Sequence, residues 1–388
     1  MKKLLNFLII TYLLFTINNS NAVEQEKNKN KNLLKVGILL PLSGEYGNLG
    51  QSFLKAIQLA LYDISDKDIK IYPKDSKANP LDTYNSAKEF EQMGIKIVIG
   101  PIFYENLEKL NEINNITFIS LTNKINNLPK NTIAFGINLK SQIESLKEYF
   151  KDIKIDRTIL LSPKTEFVNE TEIIEESEIN LYEVFFYDTS PKKITSEIEK
   201  LTKYRERKKD LERRIKILEK SDLHKHKQEL KILEQRHTLG KVNFDSVIVI
   251  DFGERLKSVL TSFMFSDVSS SEVNFFTINQ WFDETFFNEN ALQNLHFPAI
   301  SFDNLEKFEK KFEKKYKEKP NKVSILAYDA LGLIYYCWKK NGNEFKYDQL
   351  YNKNGFKGLQ GKFYITGNHS VQKLGIYKIS DKKFIKVY

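Results

Sequence analysis

Short apolar runs alternate along this chain with stretches whose apolar residues fall at helical spacing. Leu33–Leu40, LLKVGILL, is a brief apolar run stopped at Pro41, the pattern of a buried strand. PLSGEYGNLGQ follows, a loop with three glycines that turns sharply. In SFLKAIQLALYDI, the residues Phe53, Ile57, Ala60, Leu61 and Ile64 share one helical face. Strand, glycine-rich loop and helix open a parallel α/β domain, whose first loop lies at the carboxyl edge where open sheets bind ligands.

The alternation continues. DIKIYPKDSK predicts a strand, TYNSAKEFEQMG a helix ended by Gly94, and IKIVIGP a third strand. YENLEKLNEINN predicts a helix, ITFISLT a fourth strand and NTIAFGIN a fifth. A second series then begins with the helix SQIESLKEYFKD and the strand RTILLSP. It continues through weakly helical Lys164–Ser177, the strands NLYEVFFYD and VNFDSVIVIDFG, the helix ERLKSVLTSFMF and the strand EVNFFTINQW. Two α/β lobes with parallel sheets are expected. LHFPAISF reads as a crossing segment, and NLEKFEKKFEKKYKEKP as an amphipathic helix stopped by Pro320. NKVSILAYDALGLIYYCWKKNG reads as an apolar helix packed on the first sheet, and the remainder as short strands, with a hairpin turn at Gly367-Asn368.

Residues 194–239 interrupt the second series. Leu201, Tyr204, Leu211, Ile215 and Leu218 recur at spacings of three, four and seven, and the phase slips at Ser221-Asp222. One long helix, or two that turn near Ser221, fits equally. Residues 201–240 hold 13 Lys/Arg against 7 Asp/Glu. Such an insertion serves contact with a protein partner, for which Arg205, Arg213, Arg214 and Arg236 are candidates. His224 and His226 stand two apart, on different helical faces, and with His237 form no metal-binding spacing.

Composition narrows the class. Lys2 and Lys3, the apolar Leu4–Ile17 and the small-residue exit Ser20–Ala22 have the form of a cleavable signal peptide over residues 1–22, which places the mature chain in the periplasm. No cysteine adjoins the cut to take a lipid, and residues 23–33 are polar enough to form a disordered leader. Cys337 is the only cysteine, so no internal disulfide forms. The net charge of +9 is modest for 388 residues, and an exported chain of this kind is not expected to bind nucleic acid. GxSxG and a phosphate loop are absent, and the Asp251-Phe252-Gly253 triplet lacks the other motifs of a kinase. No enzyme activity, cofactor or metal is expected.

PLSGEYGNLGQSFLKAIQLAL, IKIVIGPIF, ITFISLTNK, LAYDALGL and GFKGLQGKFYITGNHS occur in an order that resembles the type 1 periplasmic binding proteins, the leucine-binding-protein superfamily. GPIF, FISLTN, the charged helical insertion and FDSVIVIDFGERL are most similar to the penicillin-binding-protein activator branch. The resemblance implies an α/β type 1 periplasmic-binding-protein fold: two Rossmann-like lobes with parallel central sheets, a three-strand hinge and a long helical insertion in lobe 2. It places residues 34–137 and 298–354 in lobe 1, 138–297 in lobe 2, and 355–388 in the hinge return and the end of lobe 2.

Amino-acid-binding members hold the ligand carboxylate after their third and fourth strands. The resemblance therefore makes Ser43, Tyr46, Tyr104, Ser120, Thr122 and Lys124 candidates for a small polar ligand between the lobes. Tyr104 stands where a serine is usual, which alters that cradle. Glu166 and Asp251 are candidates for the ammonium group, as are Asp188 and Glu254 at neighbouring strand ends, and Trp281 for an aromatic wall. Asp251 as a cap for the following helix is the structural alternative. The branch implies regulation of a peptidoglycan synthase by contact; the wider superfamily implies a solute receptor for an ABC permease, carrying amino acids or related polar ligands.

Overall fold

The computed structural model describes residues 33–278 and 284–388. The signal segment and Trp281 lie outside them, and so does all but the last residue of the leader. The chain divides into two compact units: residues up to 136, 315–358 and 364–369 in unit 1, and residues 137–314, 359–363 and 370–388 in unit 2.

Unit 1 begins with β1 (Leu34–Leu40), α1 (Gly47–Ile64), β2 (Ile69–Asp75), α2 (Pro80–Gln92), β3 (Ile97–Ile99), β4 (Thr117–Ser120) and β5 (Thr132–Ala134). β2, β1, β3, β4 and β5 pair in parallel in that order. Two glycines shape the loop after β1 and the start of α1. Gly44 takes a φ of +75°, and a Cβ on Gly50 would stand 1.9 Å from the Pro41 carbonyl oxygen, so α1 seats directly against the strand that precedes it. α2 starts on Asn79, whose side chain accepts from the backbone N–H groups of Leu81 and Asp82, with Pro80 at the first helical position.

The helix expected over residues 104–115 does not form. Two 3₁₀ turns, Tyr104–Leu107 and Leu110–Glu112, take its place. The buried apolar residues are Leu107, Leu110 and Ile113. Their spacing of three suits the tighter helix, which lines up every third side chain. Asn131 Nδ2 donates to the carbonyls of Leu110 (2.7 Å) and Ile113 (2.6 Å), which satisfies two acceptors that a continuous helix would have used.

Unit 2 contains α3 (Leu139–Ile153), β6 (Thr158–Pro163), α4 (Val168–Glu175), β7 (Leu181–Tyr187), α5 (Pro191–Leu201), α6 (Tyr204–Leu218), α7 (His224–Leu233), β8 (Ser246–Val249), α8 (Gly253–Phe265), β9 (Asn274–Thr277) and β10 (His296–Ala299). The segment read as a crossing is therefore the strand β10. α9 (Phe302–Tyr316) follows. Its first residue stacks on Phe384 and meets Tyr377 edge-on, so the start of this helix packs within unit 2. The chain then supplies α10 (Ile325–Lys340), β11 (Phe356–Gly358), β12 (Gly361–Thr366), β13 (His369–Gln372), β14 (Gly375–Ser380) and β15 (Lys383–Lys386). Gly367, at φ +54°, and Asn368 form the two-residue turn between β12 and β13.

The two sheets have the orders β11-β12-β13-β5-β4-β3-β1-β2 and β15-β14-β10-β9-β8-β6-β7. In the second, β14 pairs antiparallel with both β10 and β15, and the other neighbours pair in parallel. β6 and β8 are buried on both faces. Ile159, Leu161, Val247 and Val249 face one core, and Leu160 and Ile248 the other. This is the burial expected of a parallel sheet covered on both sides by helices, and it explains their unbroken apolar runs. At their first residues Thr158 and Ser246 are register partners, and their buried hydroxyls bond at 2.9 Å.

The insertion is a short helix, α5, followed by a hairpin of α6 and α7 that turns at residues 219–223. Leu211, Leu218 and Leu233 form the apolar core of the hairpin, with Ile215 and Leu230 packed against them. Arg207 closes the base. It is 7% exposed and donates to the carbonyls of Thr202 (3.1 Å), Ser266 (2.6 Å) and Gly240 (3.5 Å) and to the Thr238 hydroxyl (3.1 Å).

Candidate functional site

Unit 1 places six of the candidate residues at the end of β4 and in the segments that follow β1, β3 and β4. Ser43 Oγ donates to Asp75 Oδ2 at 2.5 Å, and the N–H groups of Leu42 and Lys77 donate to Oδ1, each at 2.8 Å. Burial works against the Asp75 carboxylate, but these bonds outweigh it and hold the group below its ordinary range. Ser120 is fully buried, and its hydroxyl donates to the Pro101 carbonyl at 2.8 Å. Thr122 is buried as well, and its Oγ1 accepts from the Lys124 N–H at 3.2 Å. The three small hydroxyl residues thus serve to shape the loops that carry them.

The larger side chains are more open. Tyr46 is 41% exposed and packs on Phe103 with ring centres 4.7 Å apart. The Tyr104 hydroxyl donates to the Asn126 carbonyl at 2.8 Å. Lys124 Nζ lies 5.4 Å from the centre of the Tyr104 ring and 3.3 Å from Glu105 Oε1. The backbone N–H of Glu105 and, against partial burial, Lys124 keep the Glu105 carboxyl below its usual range. Tyr104, Glu105 and Lys124 line an open cavity of 1060 Å³ with Asn127, Lys130 and Asn131.

Unit 2 brings Glu166 and Asp251 together through a residue the sequence reading missed. Arg255 donates to both oxygens of Glu166, at 2.6 and 2.8 Å, and through Nε to Asp251 Oδ1 at 3.0 Å. Asp251 has no exposure; it also accepts from the Phe252 N–H at 2.8 Å and from the Tyr187 hydroxyl. The hydrogen bonds to Glu166 raise the Arg255 guanidinium above its ordinary value despite burial, and the same bonds lower Glu166. Burial, then the hydrogen bond to Asp251, pushes the Tyr187 phenol up. The cluster therefore holds a charged arginine between Glu166 and Asp251, with a neutral tyrosine behind. Phe167 and Phe252 meet edge-to-face beside it, 5.5 Å apart. Asp251 is not a helix cap: α8 is capped at Phe252 without a side-chain bond. Asp188 pairs with Lys193 at 2.8 Å, and Glu254 with Lys257 at 3.1 Å.

Three of the four insertion arginines are engaged at home. Arg205 pairs with Glu199, Arg213 with Asp210, and Arg214 makes two bonds of 2.8 Å to Glu229; Arg236 is exposed. Among the described residues no His, Cys, Asp and Glu side chains group so as to hold a metal ion. Arg255 had one visible signal, its position four residues after Asp251 where a helix begins. Tyr187 and Glu105 had none.

These two α/β units, with their mixed sheets and flanking helices, have the type 1 periplasmic-binding-protein fold, and solved structures of that fold superpose on the chain. The C-terminal domain of LpoA from Haemophilus influenzae, described as a regulator of PBP1A, matches with a TM-score of 0.62 at 14% identity, covering 91% of this chain and all of that domain. Full-length LpoA matches with a TM-score of 0.61, also at 14% identity; 92% of this chain is covered, which spans only 59% of that protein. The branched-chain amino-acid binding protein LivJ from Streptococcus pneumoniae, solved with isoleucine, gives 0.53 at 17% identity over 92% of this chain and 99% of that one. No family model and no curated protein matches the sequence.

Proposed function

We propose that this chain is a non-catalytic periplasmic protein that regulates peptidoglycan synthesis by contact with a synthase of the penicillin-binding-protein class. The observation that carries this reading is the commitment of the cradle. Two small hydroxyl residues of the candidate cradle already spend their protons within the fold: Ser43, after β1, donates to the Asp75 carboxylate, and Ser120, at the end of β4, donates to the Pro101 carbonyl. Both oxygens of Glu166, the matching candidate for an ammonium group, already accept from Arg255. A receptor presents such groups to its ligand from a largely pre-formed site. A protein that acts through its surface gains from having them locked. The likeness to the LpoA domain agrees with this reading.

The test is direct. The mature chain is titrated into the organism's own bifunctional peptidoglycan synthases, following binding by interferometry and glycan polymerisation with labelled lipid substrate. Saturable binding and a changed rate are expected. No binding to any of these synthases would reject the proposal.

The cavity lined by Tyr104, Glu105 and Lys124 favours a second reading, a solute receptor for an ABC importer of amino acids or related polar molecules. Under that reading one such solute at a hundred times its Kd stabilises the protein by about 2.7 kcal/mol. A thermal melt screen reads this as a rise of several degrees.

A further inference from the structure

The α6–α7 hairpin carries charge and apolar surface that its own fold does not use. Its arginines are largely spent: Arg207 closes the base, Arg213 pairs with Asp210 and Arg214 with Glu229. What remains is lysine. Lys208, Lys209, Lys216, Lys220, Lys225 and Lys231 are exposed, and among the described residues none of them forms an ion pair. Acidic residues are interspersed, including Glu219 and Asp222 in the turn, yet residues 201–240 keep a surplus of cations, 13 against 7.

Apolar residues stand among these lysines. Ile217 is 54% exposed, Leu223 62% and Ile232 57%. Ile217 and Leu223 flank the turn, next to Lys216, Lys220 and Lys225. They project from a hairpin whose inward positions are already filled by Leu211, Leu218 and Leu233.

The identity of the free cations selects the partner. Protein–protein interfaces are enriched in arginine and depleted in lysine at their centres. A lysine ammonium is a compact, strongly hydrated point charge without the fork that grips a carboxylate. Many such charges, spread around a few exposed aliphatic side chains, suit a diffuse layer of negative charge over an apolar interior. We propose that the turn of this hairpin docks on the headgroup layer of an anionic lipid bilayer. Lys216, Lys220 and Lys225 lie among the headgroups, and Ile217 and Leu223 enter the interface beneath them. Because Arg207 ties the hairpin base to backbone on either side of it, docking of the turn holds unit 2 at the membrane.

This inference goes beyond the proposed function, and its test contains no synthase. The full chain is co-sedimented with phosphatidylcholine vesicles, with and without phosphatidylglycerol at about a third of the lipid, a composition that sets the surface charge. Binding at least about tenfold tighter to the anionic vesicles is expected, weakening as salt is raised. Lys216→Glu/Lys220→Glu/Lys225→Glu removes that preference. Lys307→Glu/Lys314→Glu/Lys317→Glu, the same charge change on and just beyond exposed positions of α9, leaves it in place. Ile217→Ser/Leu223→Ser weakens the binding that survives high salt. Circular dichroism melts establish that each variant is folded. Equal binding to neutral and anionic vesicles overturns the proposal. So does an equal loss in the two triple variants, which would make the attraction one of net charge alone. Binding to polyglutamate without binding to vesicles overturns it in favour of an acidic protein.

Discussion

His296 gives the fold a pH dependence between pH 4 and 6.5. It is buried on β10 beside Tyr149 and Phe276, with ring centres 6.1 and 5.1 Å away, and its Nδ1 lies 3.3 Å from the Phe275 carbonyl. Burial, with a smaller repulsion from Lys378, pushes its pKa down from 6.5 to about 4. The unfolded chain therefore takes up the proton first as pH falls. The stability conferred by the neutral ring is complete above pH 6.5 and is lost progressively towards pH 4, up to about 3 kcal/mol. Urea midpoints at pH 7.5 and 5.0 measure the loss, and His296→Phe removes most of that difference. The candidate site was legible at this scale only in part. Asp251 and Glu166 were readable as polar residues at strand ends. Their joining through Arg255 was not, because Glu166 lies 89 residues from Arg255 and only the sheet brings them together.

At the scale of elements, periodicity located most helices and strands but not the tight turns of residues 104–112. A spacing of three over so short a run fits a 3₁₀ turn and a helix face alike, and the deciding partner, Asn131, lies well downstream. In the insertion the phase slip at Ser221-Asp222 was visible, whereas the clamp at its base was not, since Arg207 looked like one cation among thirteen. Burial pushes the Arg207 pKa down, and the group is held by acceptors on both sides of the insertion. Arg207→Met is expected to cost about 2–3 kcal/mol, because it strands buried acceptors. It should also open residues 204–239 to protease ahead of the rest of the chain. Arg207→Lys will not restore protection, since an ammonium cannot reach four acceptors in the plane of a guanidinium. Limited proteolysis with mass spectrometry reads both outcomes.

For the whole molecule, the alternation of strands and helices foretold two α/β units, because most strands are apolar runs bounded by turn residues and most are followed by a helix of amphipathic spacing. Each unit has its own core, and a single thiol reports on one of them. Cys337 lies in α10 of unit 1, 1% exposed, and burial pushes its thiol up to about 12. A maleimide at neutral pH should leave it unlabelled in native protein. Labelling against urea should follow the unfolding of unit 1, while tryptic cleavage in unit 2 reports the other. Labelling well below the unfolding transition would reveal a local opening of α10. The apolar burial of β6 and β8 on both faces has a cost of its own. Sliding one strand past the other by a residue would exchange one aliphatic side chain for another, so greasiness alone is indifferent to alignment. The two hydroxyls that meet at the start of these strands are not indifferent: out of step, each would be stranded in the interior. The alignment of the middle of the second sheet is thus written in a threonine and a serine, Thr158 and Ser246.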